Sequence, residues 1–290
     1  MIEPDVQPTT ASVALHYDQL DLAYRRIWGT HIHHGYWQTG RETAAAATDA
    51  LSDLVAERLM IRPGDALCDI GCGYGATAAR FAAGHSVTVT GFTLSAAQQR
   101  VAGERPAPGV AILVRDWLDN ALPDACFDGT YAIESSEHFA DKAAFFNEAS
   151  RVLRPGGRLV ICAWLEGDRV RPWQVRHLLK PICSEGRLPS LASRADYQSL
   201  AARSGLAFES FEDLTRNVRK TWRLCLQRLL TGLTTDPDVR SLALGGAKGS
   251  RSFMLSLPRL IVAMRTGAMG YGLFAWSKPL APSGIPRLAV

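Results

Sequence analysis

Three glycines at alternate positions follow a short apolar segment that contains an acid. The segment covers residues 67–70 and includes Asp69, and Gly71, Gly73 and Gly75 form a turn before a run that favours a helix. Glycine suits a backbone that turns with positive φ or lies against a ligand, and the start of the next helix offers free N–H groups. A carboxylate beside this turn could anchor an ammonium or a hydroxyl group. The pattern predicts a site for a small zwitterionic nucleoside at the end of a strand.

The same turn has a competing interpretation. Gly71, Gly73 and Ala76 also fit the dinucleotide fingerprint, which requires an acid roughly 20 residues later to bind the ribose. At that distance an alternating β-branched segment ends with Thr93 in place of the acid. A tight strand-to-helix turn that binds no ligand is a further alternative.

The next loop distinguishes between these interpretations. It reads Gly91-Phe92-Thr93-Leu94-Ser95 and is followed by Gln98. Together with the glycine turn, it resembles the class I S-adenosylmethionine-dependent methyltransferases. The likeness is greatest to the branch of tocopherol methyltransferases, cyclopropane-fatty-acid synthases and natural-product methyltransferases for terpenoids and alkaloids. Further matching segments are Arg115-Asp116-Trp117, residues 127–133, residues 134–139, residues 153–157 and, near the N-terminus, residues 28–37.

The resemblance implies a set of cofactor contacts. The glycine turn and Asp69 would hold the methionine part, and the 93–98 loop would meet the ribose and the adenine edge. Asp116 would accept a hydrogen bond from the adenine amine, and Trp117 would pack on the ring. The implied cofactor-binding residues are Asp69, Gly71, Gly73, Gly75, Thr93, Leu94, Gln98, Asp116, Trp117 and Glu134.

Glu137 and His138 are the predicted catalytic residues, because they follow a strand whose end would lie beside the cofactor sulfur. An imidazole with a pKa near neutrality could take a proton from a phenol, an amine or a carbocation. In the cyclopropane synthases the glutamate at the matching position helps to hold a bicarbonate base. The alternative is that both residues only pin their loop through hydrogen bonds.

Aromatic residues near the N-terminus are the predicted substrate contacts, alongside His138. Aromatic faces suit a sulfonium or another cation, although a packed helix and loop would use the same residue types. The predicted contacts are Tyr17, Trp28, Tyr36 and Trp37. His31, His33 and His34 invite a metal hypothesis, but no cysteine or carboxylate lies close by in the sequence, and no metal is predicted.

The elements that must position these residues alternate between strands and helices, which predicts an α/β fold. It would be a doubly wound, mostly parallel sheet of the Rossmann-like methyltransferase type. Strands are predicted near 66–70, 86–92, 111–115, 127–133 and 157–163, with helices near 43–60, 76–83, 96–105 and 142–153. Later helices are predicted near 172–180, 195–204, 216–231 and 258–266, with strands near 206–211 and 271–276. The resemblance divides the chain into an N-terminal helical cover (1–40), a cofactor-binding core (41–165) completed by strands near 206–212 and 270–278, and a helical substrate lid (166–269).

The distribution of charge indicates which classes of partner this protein could bind, and its cysteine content indicates the redox compartment. The net charge is +4, but residues 166–290 carry 19 Lys and Arg against 9 Asp and Glu. In the predicted lid, Arg216, Arg219, Lys220 and Arg223 recur at helical spacing, with Arg228 beyond, and could contact an anionic acceptor or a membrane surface. The acidic first half and the lack of a recognition module exclude nucleic acid, and any membrane contact would be peripheral. Six scattered cysteines without paired spacing favour a reduced, cytoplasmic protein; a homo-oligomer stays possible.

The predicted function is S-adenosylmethionine-dependent methylation of a hydrophobic small molecule in secondary metabolism. The acceptor would be a prenylated phenol, a terpenoid or an indole alkaloid, methylated at carbon or nitrogen. The alternatives are methylation of an anionic prenyl diphosphate, cyclopropanation of a lipid and, more remotely, an inactive cofactor-binding scaffold.

Overall fold

The computed structural model describes residues 1–29, 31–244 and 248–280, without the side chains of residues 242–255. Thr30 of the N-terminal motif and residues 245–247 of the predicted lid lie outside the described residues. Among the helices that are described, none combines the length and the apolar character needed to cross a membrane.

One seven-stranded sheet organises the chain. Its strands are β1 (Ala66–Ile70), β2 (Thr88–Thr93), β3 (Val110–Val114), β4 (Phe127–Ile133), β5 (Leu153–Glu166), β6 (Ala207–Asp213) and β7 (Met269–Ser277). Their spatial order is β3-β2-β1-β4-β5-β7-β6. The pairs among β1 to β5 are parallel, and β7 lies antiparallel between β5 and β6. The predicted α/β fold with a mostly parallel sheet is therefore confirmed.

Helices connect the strands and continue after β5. They are α1 (Thr10–Ile27), α2 (Ala44–Leu59), α3 (Ala76–His85), α4 (Ala96–Gly103), α5 (Lys142–Val152), α6 (Pro172–Gln174), α7 (Lys180–Glu185), α8 (Arg194–Arg203), α9 (Thr215–Val218), α10 (Lys220–Thr235), α11 (Pro237–Leu244) and α12 (Lys248–Arg265). A π-helical turn joins α6 to α7, and short 3₁₀ turns follow β3 and β4. Side-chain caps explain where helices begin: Thr9 accepts the Ser12 N–H before α1, and Ser95 accepts the Gln98 N–H before α4.

The core lies on both faces of the sheet, because alternate residues of the central strands enter different apolar clusters. Leu67, Tyr131 and Val160 belong to one cluster, which includes residues of α2 and α3. Their neighbours Cys68 and Ala132 belong to the other, which includes residues of α5 and α8. Since successive side chains of a strand point to opposite faces, helices cover the sheet on both sides. Because both faces of the sheet are buried, a ligand-binding site is expected at the carboxyl ends of the strands.

Some element boundaries differ from the sequence-based expectation. β5 is longer than the predicted 157–163, and the predicted helix 216–231 is divided at Arg219 into α9 and α10. The helix predicted to begin at Pro258 begins at Lys248 instead, so this proline lies inside α12. Proline at a helix start is the commoner pattern, which is why the sequence placed the boundary too late.

Candidate active site

The glycine turn after β1 has a backbone that suits glycine. Gly71 has a φ of +82° and Gly75 a φ of +73°. A Cβ on Gly71 would overlap the side chain of Ser135, which follows β4. Gly75 immediately precedes α3 and does not line the adjacent cavity. Gly71 therefore allows the loop after β1 to lie close to the loop after β4, whereas Gly75 allows the positive φ of the turn before α3.

A deep cavity lies at the carboxyl ends of β1, β2 and β4. Its lining includes every predicted cofactor residue except Gly75, namely Asp69, Gly71, Gly73, Thr93, Leu94, Gln98, Asp116, Trp117 and Glu134. Ligands of doubly wound sheets bind at this edge. The predicted cofactor motifs are thus brought together in one place.

Asp69 provides a buried carboxylate in this cavity. Its side chain is 3% exposed and has no ion-pair partner among the described residues. Burial raises the pKa of Asp69 to about 7. Since an unpaired charge is unfavourable away from water, the residue fits a cationic ligand group such as the α-ammonium of S-adenosylmethionine.

Hydrogen bonds fix the loops after β2 and β3, which contain further predicted cofactor residues. The Thr93 hydroxyl donates to Gln98 Oε1 at 2.6 Å and accepts the Ser95 N–H at 3.1 Å. Asp116 Oδ1 accepts the Leu118 N–H at 2.9 Å. Trp117 is 2% exposed and contacts core residues, so it is a core aromatic as well as a lining one. These bonds stabilise the shape of both loops.

Glu134 differs from the other predicted cofactor residues, because its carboxylate already has four protein donors. Oε1 accepts the His34 N–H at 2.7 Å and the Tyr271 hydroxyl at 2.8 Å. Oε2 accepts His34 Nδ1–H at 2.8 Å and Trp164 Nε1–H at 3.2 Å. Burial alone would raise the pKa of Glu134, but the charge and hydrogen bonds of His34 lower it overall. A carboxylate offers about four acceptor positions, so this side chain has little capacity left for a cofactor.

Glu137 lies in the 3₁₀ turn after β4 and is 2% exposed. Its Oε1 accepts the Trp164 N–H at 2.6 Å, and its Oε2 accepts the Ser136 hydroxyl at 3.1 Å. Burial raises the pKa of Glu137 to about 7. Glu137 therefore attaches the turn to β5 while it lines the cavity.

His138 is held from both sides of its ring. Nδ1 lies 3.2 Å from the Arg187 carbonyl oxygen, and Nε2 lies 2.8 Å from the Tyr17 hydroxyl. Burial lowers the pKa of His138 to about 4. The direction of this shift differs from the expected imidazole with a pKa near neutrality, because burial disfavours the charged form of the ring. The catalytic role of His138 stays a prediction.

The predicted aromatic contacts divide into two groups. Tyr17 and Trp28 line the cavity, whereas Tyr36 and Trp37 do not. Tyr36 packs against the core, and Trp37 places its ring 4.0 Å from Lys220 Nζ. In the predicted N-terminal cover, Tyr17 and Trp28 therefore line the cavity, whereas Tyr36 and Trp37 contact other parts of the protein.

Beyond the predicted contacts, the cavity lining contains further aromatic residues that the sequence reasoning did not assign to the site, and they include Tyr24, Trp164 and Trp222. Tyr17 stacks on Tyr24 with ring centroids 5.4 Å apart, and Tyr24 meets Trp28 at 5.5 Å. Trp28 then meets Trp222 at 5.8 Å, and Trp222 meets Trp164 at 5.3 Å. We call these five rings the aromatic wall. Only the tertiary fold reveals it, because its members lie on α1, β5, α10 and the segment after α1.

The three histidines near the N-terminus form hydrogen bonds with one another and with the core. His33 Nδ1 donates to the His34 carbonyl at 2.8 Å, so His33 Nε2 must accept from His31 Nδ1 at 3.1 Å. Burial lowers the pKa of His31 to about 3. In the described part of the chain, no group of three or more His, Cys, Asp or Glu residues is arranged to hold a metal ion.

The basic residues of the predicted lid lie away from the cavity. Arg216, Arg219 and Arg223 are exposed, and none of them lines it. Lys220 Nζ donates to the Gly40 carbonyl, and Arg228 donates to the Ile27 carbonyl. The structure therefore does not bring this basic face to the site, contrary to what contact with an anionic acceptor requires.

Comparison with known proteins gives a family match over most of the chain. Residues 5–241 match the family model described as mycolic acid cyclopropane synthetase. The chain is 32% identical to the 27-O-demethylrifamycin SV methyltransferase of Amycolatopsis mediterranei, over 94% of this chain and 99% of that protein. It is 28% identical to the chloroplastic tocopherol O-methyltransferase of Arabidopsis thaliana, over 92% of this chain and 82% of that protein.

The fold is also similar to solved structures. The mycolic acid cyclopropane synthase CmaA1, solved with SAH and CTAB, superposes with a TM-score of 0.82 at 25% identity. The alignment covers 94% of this chain and 100% of the synthase chain. S-adenosylhomocysteine, the product form of the cofactor, is thus bound by a protein of the same architecture.

Proposed function

This chain belongs to the mycolic acid cyclopropane synthetase family of class I S-adenosylmethionine-dependent methyltransferases, and from that premise we propose that it methylates a hydroxyl oxygen of an uncharged, hydrophobic small molecule. S-adenosylmethionine is its cofactor and supplies an activated methyl group on a sulfonium. The protein then has to orient the acceptor, exclude water and accommodate a proton.

The observation that carries the proposal is one cavity in which the cofactor residues and the aromatic wall meet. Asp69, Thr93 and Gln98 line this cavity together with Trp28, Trp222 and Phe139. Apolar and aromatic side chains stabilise a hydrophobic ligand by burying its surface. Cofactor and acceptor would therefore be held side by side, as direct methyl transfer requires.

Oxygen is the atom that the similar proteins favour. Their names specify O-methyl transfer, to 27-O-demethylrifamycin SV in one case and to tocopherol in another. These names support a hydroxylated acceptor over the carbon or nitrogen acceptors that the sequence suggested. The acceptor classes proposed here are phenols, terpenoid alcohols and similar hydroxylated natural products.

An anionic acceptor has less support. Arg115 is a cationic side chain in the cavity lining, and it is exposed and donates to the Asn120 carbonyl. Glu134 and Glu137 also line the cavity, and their carboxyl groups offer no positive charge to a diphosphate or a carboxylate. An anion buried without a charge partner is strongly disfavoured. Cytoplasmic location, the absence of nucleic-acid partners and oligomerisation stay predictions.

The proposal can be tested with methyl-deuterated S-adenosylmethionine and three acceptor panels, which are hydroxylated aromatics and terpenoids, prenyl diphosphates, and unsaturated phospholipids. We expect labelled methyl ethers from the first panel, detected by mass spectrometry. With S-adenosylmethionine below its Kd, Asp69→Asn should lower the signal at least about tenfold, and Arg219→Gln, outside the cavity, should retain it. Labelled products from the diphosphates or lipids alone would contradict the proposal.

A further inference from the structure

The neighbours of His138 determine which of its ring nitrogens donates a hydrogen bond and which accepts one. A backbone carbonyl oxygen can only accept, so Nδ1, which lies 3.2 Å from the Arg187 oxygen, must carry the proton. A neutral imidazole has one N–H, and the lowered pKa keeps this ring neutral near pH 7. Nε2 is therefore unprotonated, and its lone pair accepts a hydrogen bond.

The partner of Nε2 is the Tyr17 hydroxyl at 2.8 Å. Tyr17 must direct its single proton toward His138, which leaves only acceptor lone pairs on its oxygen. Burial, followed by the nearby Glu137 and Glu134, raises the pKa of Tyr17 far above its ordinary value, so the phenol stays protonated. Since Tyr17 is half-buried and lines the cavity, a bound molecule meets a hydrogen-bond acceptor at this position.

We infer that Tyr17 is a catalytic proton relay and that His138 acts through it, so that the acceptor must present a hydrogen-bond-donating hydroxyl to Tyr17. This inference rests on the proposed O-methyl transfer and names what the acceptor has to offer. An alkene or an ether, which has no proton to donate, would leave the acceptor lone pairs of the Tyr17 oxygen without a donor. The relay therefore argues against cyclopropanation at this site.

The proton and the charge balance along this chain of hydrogen bonds. The acceptor oxygen forms its bond to the methyl group as the methyl–sulfur bond breaks, and that electron pair stays on sulfur. The acceptor O–H proton passes to the Tyr17 oxygen, and the Tyr17 proton passes to His138 Nε2. The positive charge thus moves from the sulfonium to an imidazolium whose Nδ1–H is held by the Arg187 carbonyl. A weak base suffices, because the hydroxyl becomes strongly acidic as its oxygen gains a methyl group.

The first test examines the relay without an acceptor. Nitrogen-15 spectra of the histidine-labelled protein, with His138 assigned by its loss in His138→Gln, report which ring nitrogen carries the proton. We expect the neutral form with the proton on Nδ1 from pH 7.5 down to pH 5.5. A proton on Nε2, or an imidazolium at pH 6.5, would overturn the inference even if methyl transfer is demonstrated.

The second test uses two matched probes, 2-naphthol and its ether 2-methoxynaphthalene, which differ in the ability to donate. In calorimetry with saturating S-adenosylhomocysteine, we expect the protein to bind the naphthol at least about threefold more tightly, as one neutral hydrogen bond predicts. Tyr17→Phe should remove this preference, and Tyr36→Phe, the same chemical change at a tyrosine outside the cavity, should retain it. Equal binding of both probes by the wild type, or a preference that survives in Tyr17→Phe, would refute the relay.

Because both readouts are independent of turnover, they separate this inference from the proposed function. Once a methylated acceptor is known, Tyr17→Phe should lower kcat at least about 100-fold, within the range of general acid–base catalysis. A kcat within a factor of three of the wild type would show that Tyr17 is only part of the cavity wall.

Discussion

Asp69 should make cofactor binding depend on pH in a defined direction. Its pKa is raised from 3.8 to about 7 by burial, so near neutrality about half of the empty protein carries a protonated carboxyl. The α-ammonium of the ligand pairs only with the ionised form. We therefore expect the Kd of S-adenosylhomocysteine to weaken about tenfold for each pH unit below 7 and to level off above it.

The measurement is isothermal calorimetry between pH 5.5 and 7.5, below the range where an α-amino group loses its own proton, near 7.7–8.0. Asp69→Asn should weaken binding by roughly 1.5–3 kcal/mol at pH 7.5, or about 10- to 100-fold, and should remove the pH dependence. Asp116→Asn is the matched control, since the same chemical change at the predicted adenine end should leave the slope intact. A flat Kd in the wild type, or an unchanged slope in Asp69→Asn, would refute the assignment.

The same shift has a consequence for folding. The unfolded chain ionises Asp69 near 3.8, and the folded, empty protein ionises it near 7. Ionisation therefore opposes folding progressively from pH 4 to pH 7 and fully above it, by at most about 4 kcal/mol for three pKa units. Asp69→Asn should raise the Tm of the empty protein at pH 8, in contrast to its effect on cofactor binding.

Three further results are expected. Gly71→Ala should abolish cofactor binding, because its Cβ would overlap the loop after β4. Gly64→Ala is the control, since Gly64 has a similar positive φ of +91° but open space around it, and this change should cost only about 1 kcal/mol of stability. Equal effects of the two substitutions in calorimetry and thermal unfolding would contradict this prediction. Glu134→Leu should lower the free energy of unfolding by about 3 kcal/mol or more, because it leaves four buried donors without their acceptor; a loss below about 1 kcal/mol in urea would be inconsistent with the network. Arg219→Gln combined with Arg223→Gln should leave the acceptor KM within a factor of two, since both side chains are exposed outside the cavity; a tenfold rise would reinstate the basic face as a binding surface.

The meeting of the predicted cofactor residues at one edge of the sheet was predictable, because the signals are local. The glycine turn and the Thr93 loop each follow a strand, and parallel strands bring their carboxyl ends to one edge of the sheet. Alternation of strands and helices likewise predicts the sheet and its covering helices. Each of these short motifs contains the residue types that could bind a ligand, and the strand before it places them at the edge of the sheet.

The acceptor side was not predictable, because its residues meet only through tertiary packing. Trp164 and Trp222 lie on β5 and α10, and nothing in their local sequence pairs them with Trp28. The low pKa of His138 depends on burial under several elements, which a motif cannot reveal. The exposed direction of Arg219 and Arg223 depends on how α10 is rotated against the core.

The Glu134 network has a consequence for building chimeric enzymes. Its four donors come from the segment after α1, from β5 and from β7, so three distant parts of the chain share one buried charge. An N-terminal segment exchanged for that of a relative would have to bring an equivalent of His34, and a grafted C-terminal part an equivalent of Tyr271. Crossover points that separate these residues from Glu134 should give poorly folded hybrids, and crossovers that keep the set together should allow the acceptor-facing aromatics to be exchanged.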